Sequence, residues 1–565
     1  LATSPLKRPA TLTPGRHLAP TESLASISTP ADLHVELVLS EPEIAQPLAL
    51  RFDNRGRLWV VEYRQYPFPA GLKMLSRDKY YRATYDRLPS APPNHDRGHD
   101  RISIHTDTDG NGTFDQHQTF VDQLNVASSL EIAADGVWVL NPPYLLFYPD
   151  RNHDDRPDSD PEIHLSGFGL EDVHSVANSL CWGPDGWLYG AQGSTTSSHV
   201  SVTGSDAPPV YRDGAMVWRY HPQQHRYEVF AEGGGNSFGL EINARGHLFT
   251  GHNGGSTRGF HYLPGAYMQK GTDNKYGPLS NPFAYDPLPA MHTDTEIPRF
   301  SHDLIQYQST ALPDRYQNKI FAVDPLHQHV VVSDIKRRGS TFETSDIDVA
   351  LRSTDLAFRP VEIVVGPDGW IYVADFCEEF IAHGQHYQGQ VDPSTGRVFR
   401  IRAADSATTS AELTPLHIVR QLDQATPEQL RDWLSLADRS IRRRALRRLA
   451  SLQVDHSFVA ESLAMLRRSE MPAALELLWL LHQWDPETST HLQESLRHAE
   501  PDVRRWAVRL LGERNHLGAD VVAALVELAA SDPDIDVRAQ LACTARRLDA
   551  RNCLAIVTAL LKHDD

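Results

Sequence analysis

Four cysteines in 565 residues, Cys181, Cys377, Cys543 and Cys553, are too few for a disulfide scaffold. There is no Cys-x-x-Cys pair for zinc or dithiol chemistry and no Cys-x-x-Cys-His for covalent haem. Cys543 and Cys553 are close enough in sequence to be bridged across a helix pair, or to stand as two buried thiols. Long apolar runs are missing too: residues 475–481 are broken by Glu476 and fall far short of the ~20 residues a bilayer span needs. Positive charge is in deficit. Lys and Arg number 54 against 73 Asp and Glu, a net charge of −19, which disfavours nucleic acid or an anionic membrane as partner. Position 1 is Leu, and no charged n-region with an apolar h-region follows, which predicts a mature or trimmed piece whose address segment has been removed. What is present is ordinary for a globular protein, with 40% hydrophobic and 22% charged residues.

Five stretches share one grammar: an apolar strand, a tight turn ending in glycine, and a second strand carrying an aromatic. They occupy residues 48–61, 130–139, 180–189, 240–249 and 363–373, with turn glycines Gly56, Gly136, Gly186, Gly246 and Gly369. A weaker sixth unit over 312–323 fills the long gap. Six such units predict a six-bladed β-propeller over residues 32–403. The alternating segment His34-Val-Glu-Leu-Val-Leu39 is expected to pair beside Arg397-Val-Phe-Arg-Ile401 and close the last blade, removing two exposed sheet edges. Residues 1–31, rich in Pro, Ser and Thr, read as an extended N-terminal arm.

After residue 403 the period becomes helical. Arg442, Arg504 and Arg538 each follow a β-branched residue and open an apolar helix, at a spacing near 32 residues. That is the signature of paired-helix repeats, and a HEAT-like α-solenoid is predicted over 404–565.

The sharpest local motif is Asp107-Thr-Asp-Gly-Asn-Gly-Thr-Phe-Asp115. Asp107, Asp109, Asn111, the Thr113 carbonyl and Asp115 place oxygens at alternate positions, the ligand spacing of a calcium loop, with Gly112 where such a loop must turn sharply. Gln118 stands where the bidentate Glu would be, and the flanking strands predict a metal-stapled hairpin. A second copy follows, with Asp150, Asn152, Asp154, the Arg156 carbonyl and Asp158 as ligands and Asp155 replacing the glycine. The bland reading of both is a solvated acidic turn.

A propeller's central channel is a ready-made pocket, so its active residues belong in the connections to and from the inner strands. Glu62, Arg64, Asp172, His174, Asn236, His252, Arg258, His302 and Asp375 sit there. His174 stands out, because neighbouring Glu171 and Asp172 can orient an imidazole for proton abstraction.

At Glu171-Asp-Val-His-Ser-Val-Ala-Asn-Ser-Leu-Cys-Trp-Gly-Pro-Asp-Gly-Trp-Leu-Tyr189 the chain resembles a glucose/sorbosone dehydrogenase propeller. More closely it resembles the membrane-bound dehydrogenase-like family of Planctomycetes and Verrucomicrobia, which joins such a propeller to HEAT repeats and often ends in a c-type cytochrome. Val60-Val-Glu-Tyr-Arg-Gln-Tyr-Pro67, Ser353-Thr-Asp-Leu-Ala-Phe-Arg-Pro360 and Gly366-Pro-Asp-Gly-Trp-Ile-Tyr-Val-Ala-Asp375 match as well. The resemblance implies a periplasmic, secreted or cell-surface sugar or alcohol dehydrogenase using pyrroloquinoline quinone and calcium, with a cytochrome partner. It places the base at His174, with Asp172 beside it, and a cofactor contact at Asn236. Gly235 stands where the relatives carry Arg, and Arg258 or Arg359 would have to supply the missing cation. Two other readings stand beside this one. The first is a non-catalytic, calcium-stabilised scaffold binding carbohydrate or protein, which Gly235 favours. The second is a metal-dependent hydrolase or lactonase with channel ligands Glu62, Asn236 or Asp375.

Overall fold

In the computed structural model the described residues are 17–80, 82–236, 238–252, 257–269, 281–285, 287–294, 297, 301–379, 391–404, 415–486, 490–514 and 516–564. Six sheets radiate from one axis as the blades of a propeller. The inner strands are Pro47–Phe52, Ser129–Ile132, Ala177–Trp182, Glu241–Ile242, Leu304–Gln306 and Pro360–Val365, here called blades I to VI in that order. Apolar side chains from facing blades fill the spaces between sheets. One such core joins Trp59, Ile102 and Phe120 of blade I to Val137, Val139 and Tyr148 of blade II.

Blade VI is closed by the N-terminal strand Leu33–Ser40, which pairs antiparallel with Arg397–Ala403, Val35 opposite Ile401. The turn glycines do what their positions require. Gly56, Gly186, Gly246 and Gly369 all hold φ between +75° and +84°, where a side chain would be strained. In blades III and VI the turn aspartate also accepts from a tyrosine four residues on, Tyr189 to Asp185 and Tyr372 to Asp368, both at 2.7 Å.

Two parts of the chain differ from their sequence reading. Blade V's inner strand is Leu304–Gln306, not residues 312 onward. Its turn is a long loop with a 3-10 segment, Asp314–Tyr316, before strand Ile320–Asp324. No glycine is needed, because the Tyr307 hydroxyl accepts from the Ala311 and Leu312 amides and donates to the Gly369 carbonyl. The N-terminal arm is not wholly extended either. Pro20–Ala25 is a helix, and Ile27–Ser28 pairs with the outer strand of blade V at Ser353 and Arg352. Proline at the first helical position and Glu22 reaching back to the Ala19 amide explain why a short helix forms there.

Residues 415–564 form ten described helices sharing one apolar core. Arg442 donates to the Leu436 and Ala437 carbonyls and reaches Glu476, 3.2 Å away. Arg504 does the same with His498, Ala499 and Asp532, and Arg538 with the Asp532 carbonyl. The recurring arginine therefore ties each repeat to the carbonyls that end the preceding helix. No described helix is long and apolar enough to cross a membrane, and all four cysteines are free thiols.

The solenoid sits on the face of the propeller that carries the glycine turns. Helix Arg439–Ala450 crosses the axis. Arg439 binds Glu241 and the Ile242 carbonyl, and Arg443 the Asn243 carbonyl, both of blade IV. Arg444 binds the Phe52 carbonyl and Asn54 of blade I, and Arg447 faces Glu131 of blade II at 3.6 Å. Asp438 takes the Ser309 hydroxyl of blade V. Gln483 binds the Pro184 carbonyl of blade III, and Arg509 binds Asp185 and Tyr189. Trp506 lies against Gly246, where even a Cβ would collide with the indole. The channel is thus stoppered at this end.

Candidate functional site

The inner strands start at the opposite end, and here the topology gathers the candidates. His174 lies three residues before Ala177, Asn236 five before Glu241, His302 two before Leu304, and Arg359 one before Pro360. Asp375 ends the second strand of blade VI at the same level.

His174 is the centre of this mouth, with 21% of its side chain exposed. Its Nε2 is 2.6 Å from the Tyr66 hydroxyl, and its Nδ1 is 4.0 Å from Asp172 Oδ1. Asp172 is held in place: Oδ1 accepts the His174 amide at 3.1 Å and Oδ2 the Thr195 hydroxyl at 2.7 Å. Tyr66 arrives from blade I, on the long connection between strands Leu58–Glu62 and Asp100–Thr106. It packs edge-on against Phe376, 5.3 Å between centroids. Asp–His–Tyr is therefore built from two separate chain segments, and Tyr66 is the member that sequence reasoning missed. Its only signal was membership of the Val60–Pro67 motif, which carries no chemistry by itself.

Asn236 has a structural duty at this site. Its Oδ1 accepts the Ser175 hydroxyl at 2.5 Å and the Ser194 amide at 2.8 Å, while its Nδ2 donates to the His174 carbonyl at 2.8 Å. It ties the His174 carbonyl and the Ser175 hydroxyl to the Ser194 amide. Arg258 is fully buried and committed to Asp346, with Ser301 as a second partner. It joins blade IV to blade V. Glu62 is equally internal, accepting from Arg101, Ser103 and the Ala45 amide. His252 pairs with Ser301 as a β-bridge between blades IV and V.

Arg359 donates to the Glu378 and Glu379 carbonyls, and among the described residues its Nη1 has no hydrogen-bond partner. Burial lowers its pKa, opposed by the nearby charges of Tyr66, Glu378 and Asp375. Asp375 accepts the Arg359 and Cys377 amides through Oδ1, and burial pushes its carboxyl up to about 7. His302 stacks on Phe238 at 5.0 Å and donates from Nδ1 to the Val361 carbonyl; burial holds its pKa down to about 4. It is a neutral imidazole at neutral pH. Arg64 lies beside Asp100, whose carboxyl burial likewise raises to about 7.

The two acidic motifs are hairpin turns on blades I and II, and they share one bonding pattern. In the first, Asp115 accepts the Thr108 amide, Asp109 the Asn111 amide and Asn111 the Thr113 amide. In the second, Asp158 accepts from Arg151, Asn152 from Asp154, and Asp154 from Arg156. Asp107 and Asp150 complete each turn by accepting amides four or more residues nearer its end, from Gly112 and Asp154. Asp155, at φ +65°, pairs with Arg57 across the blade boundary, and Gln118 donates to the Asp155 carbonyl. Among the described residues no three His, Cys, Asp or Glu side chains converge as a metal site.

The solenoid seam lines two open clefts away from His174. One of about 800 Å3 lies between Trp59, Trp182, Arg448 and His482. One of about 260 Å3 lies at the stoppered end of the channel. There Arg51 donates to Glu131, Glu362 and the Leu180 carbonyl.

A family model described as a domain of unknown function (DUF7133) matches residues 19–405, and one for HEAT repeats matches 489–565. No curated protein matches the chain. Among solved structures, a protein assigned as an oxidoreductase (glucose dehydrogenase) from Thermus thermophilus is 18% identical, covers 65% of this chain and 99% of its own, and has a TM-score of 0.38. The PQQ-bound aldose sugar dehydrogenase of Streptomyces coelicolor is 13% identical, with 66% and 100% coverage and a TM-score of 0.38. The soluble aldose sugar dehydrogenase of Escherichia coli, in its apo-form, is 15% identical, with 65% and 99% coverage and a TM-score of 0.35. Overlaps this low transfer no residue roles.

Proposed function

From a chain that belongs to the DUF7133 family, we propose a sugar- or polyol-active propeller in which His174 is the proton sink for a substrate hydroxyl. One observation carries this reading: a part-exposed imidazole held between a buried carboxylate and a phenol at the mouth of a channel whose other end is closed. Such a ring suits general-base work, which typically contributes ~10²–10⁴-fold. Asn236 fixes the His174–Ser175 backbone, and Asp172 stabilises the imidazolium that forms. A calcium ion in each acidic turn belongs to the same proposal, taking the carboxylates from the amides they now face. So do a cytochrome partner and a periplasmic, secreted or cell-surface location.

Pyrroloquinoline quinone carries three carboxylates, and the described residues do not fit it. Arg258 is tied to Asp346 and Asn236 to the backbone of His174, so among the described residues Arg359 Nη1 and Arg64 Nε are the unpartnered guanidinium nitrogens of the remaining candidates. The two-electron acceptor is therefore left here as a chemical class only. The same two commitments favour the second reading, a carbohydrate-binding scaffold without turnover.

The deciding assay follows reduction of an artificial electron acceptor across a panel of aldoses and polyols, with and without added quinone and calcium. Oxidation of any of them supports the enzyme. Sugar binding by calorimetry without oxidation supports the scaffold. Neither binding nor oxidation overturns both.

A further inference from the structure

The bond between Tyr66 and His174 changes how a proton would reach the imidazole. At neutral pH a phenol is protonated, with an unperturbed pKa of about 10. Its O–H, 2.6 Å from Nε2, is placed to donate to the Nε2 lone pair. A bond in that direction puts the ring proton on Nδ1, the nitrogen that faces Asp172 at 4.0 Å. In this arrangement Nε2 has no lone pair left for a substrate.

We infer that Tyr66 is the group that meets the substrate hydroxyl, and that Tyr66 and His174 work as a two-step proton relay. This inference rests on the function proposed above. The substrate O–H breaks as its proton moves to the Tyr66 oxygen. The original Tyr66 proton moves to Nε2 in the same event. The products are a substrate alkoxide and an imidazolium, with the positive charge beside Asp172; no electron moves in this step.

The surroundings of Tyr66 suit the task. Tyr63, His174 and Phe376 box its ring at centroid distances of 5.9, 5.2 and 5.3 Å. The phenol is thereby fixed in direction, and a fixed donor costs little reorganisation when the proton moves. Charge on the Tyr66 oxygen is also felt by Arg359, whose Nη1 has no hydrogen-bond partner among the described residues, so a transient negative charge on the relay oxygen meets a nearby cation. Phe376 links the two residues structurally: its amide donates to the Arg359 carbonyl at 2.9 Å while its ring packs on Tyr66.

The test is Tyr66→Phe in the full chain, with His174→Gln as reference. Nitrogen-15 spectra of histidine-labelled protein, with His174 assigned by its loss in the Gln variant, read the tautomer directly. Wild type should show Nδ1–H with a hydrogen-bonded, unprotonated Nε2, and Tyr66→Phe should lose that signature. Where a substrate is oxidised, Tyr66→Phe should lower kcat by ~10²-fold or more with little change in KM. An Nε2–H tautomer in wild type, or a Tyr66→Phe enzyme with wild-type kcat, overturns the relay. The spectral reading needs no turnover, so a protein that oxidises nothing would sink the proposed function and still leave the hydrogen bond decided.

Discussion

The two ends of the central channel are built by the same six strands and have opposite characters. At the stoppered end, arginines meet carboxylates and carbonyls of neighbouring blades: Arg51 takes Glu131 and Glu362, Arg439 takes Glu241, and Arg509 takes Asp185. At the mouth, Arg359 spends its described bonds on two backbone carbonyls, and among the described residues its Nη1 and Asp375 Oδ2 have no hydrogen-bond partner. Unsatisfied buried atoms occur at the stoppered end as well, Asp185 Oδ1 and Arg443 Nη1 among them, so what sets the mouth apart is the part-exposed His174 with Tyr66 and Asp172 beside it. The lesson is a division of labour: one end ties the propeller to the solenoid, and the other gathers the candidate site.

Breaking the closed end should give the largest effect on stability. Arg51→Leu would strand Glu362 in the interior and leave Glu131 with Arg447 alone, and losing one partner of a buried ion pair typically costs ~3–5 kcal/mol. A large drop in melting temperature is expected, with turnover at low temperature unchanged. A variant that melts like wild type would show that the stoppered end is not what stabilises the channel.

Asp375 tests the mouth by pH. Burial raises its carboxyl to about 7, so the folded state binds that proton more tightly than the unfolded chain. The stability it contributes is complete below the unfolded pKa of about 4 and is lost as pH rises through the folded value. Asp375→Asn should therefore gain on wild type between about pH 4 and 8, by up to about 4 kcal/mol at about 1.36 kcal/mol per unit. Parallel melting curves across that range would remove the strain assigned to this end.

The acidic turns belong to neither end, and they should respond to chelator alone. A cation bound only by the folded state at about a hundredfold its Kd adds about 2.7 kcal/mol. Chelator should lower the melting temperature of calcium-loaded wild type, and Asp109→Ala should abolish most of that difference. No response from protein shown to have been offered calcium leaves only an acidic turn. The smallest effect belongs to Arg447→Ala. That side chain is 42% exposed and 3.6 Å from Glu131, and such part-exposed pairs are worth under ~1 kcal/mol. A loss as large as that of Arg51 would mean the seam is more tightly coupled than its exposure indicates.

Much of this comparison could be read from the sequence, and the part that could not has a physical reason. Glycine turns are local, because a positive φ needs its residue in place, and so the inner hairpins of blades I, II, III, IV and VI and the closing strand 33–40 were legible. Blade V hid because a tyrosine hydroxyl replaces the glycine turn. Arg442, Arg504 and Arg538 were legible as a repeat, whereas Arg439, Arg443, Arg444 and Arg447 read as an ordinary basic helix face until the propeller's carbonyls and carboxylates are set beneath them. His174 was marked by its acidic neighbours. Its real partner, Tyr66, lies 108 residues away in sequence and meets it only through the blade order.

The most direct test of the division of labour is the turnover of His174→Gln, measured with its melting temperature on the same preparation. Glutamine can still accept the Tyr66 proton bond, and the stoppered end is untouched. The expected result is a kcat lower by ~10²–10⁴-fold with melting unchanged. Full turnover, or a collapse in melting temperature with turnover per folded molecule intact, would contradict the account.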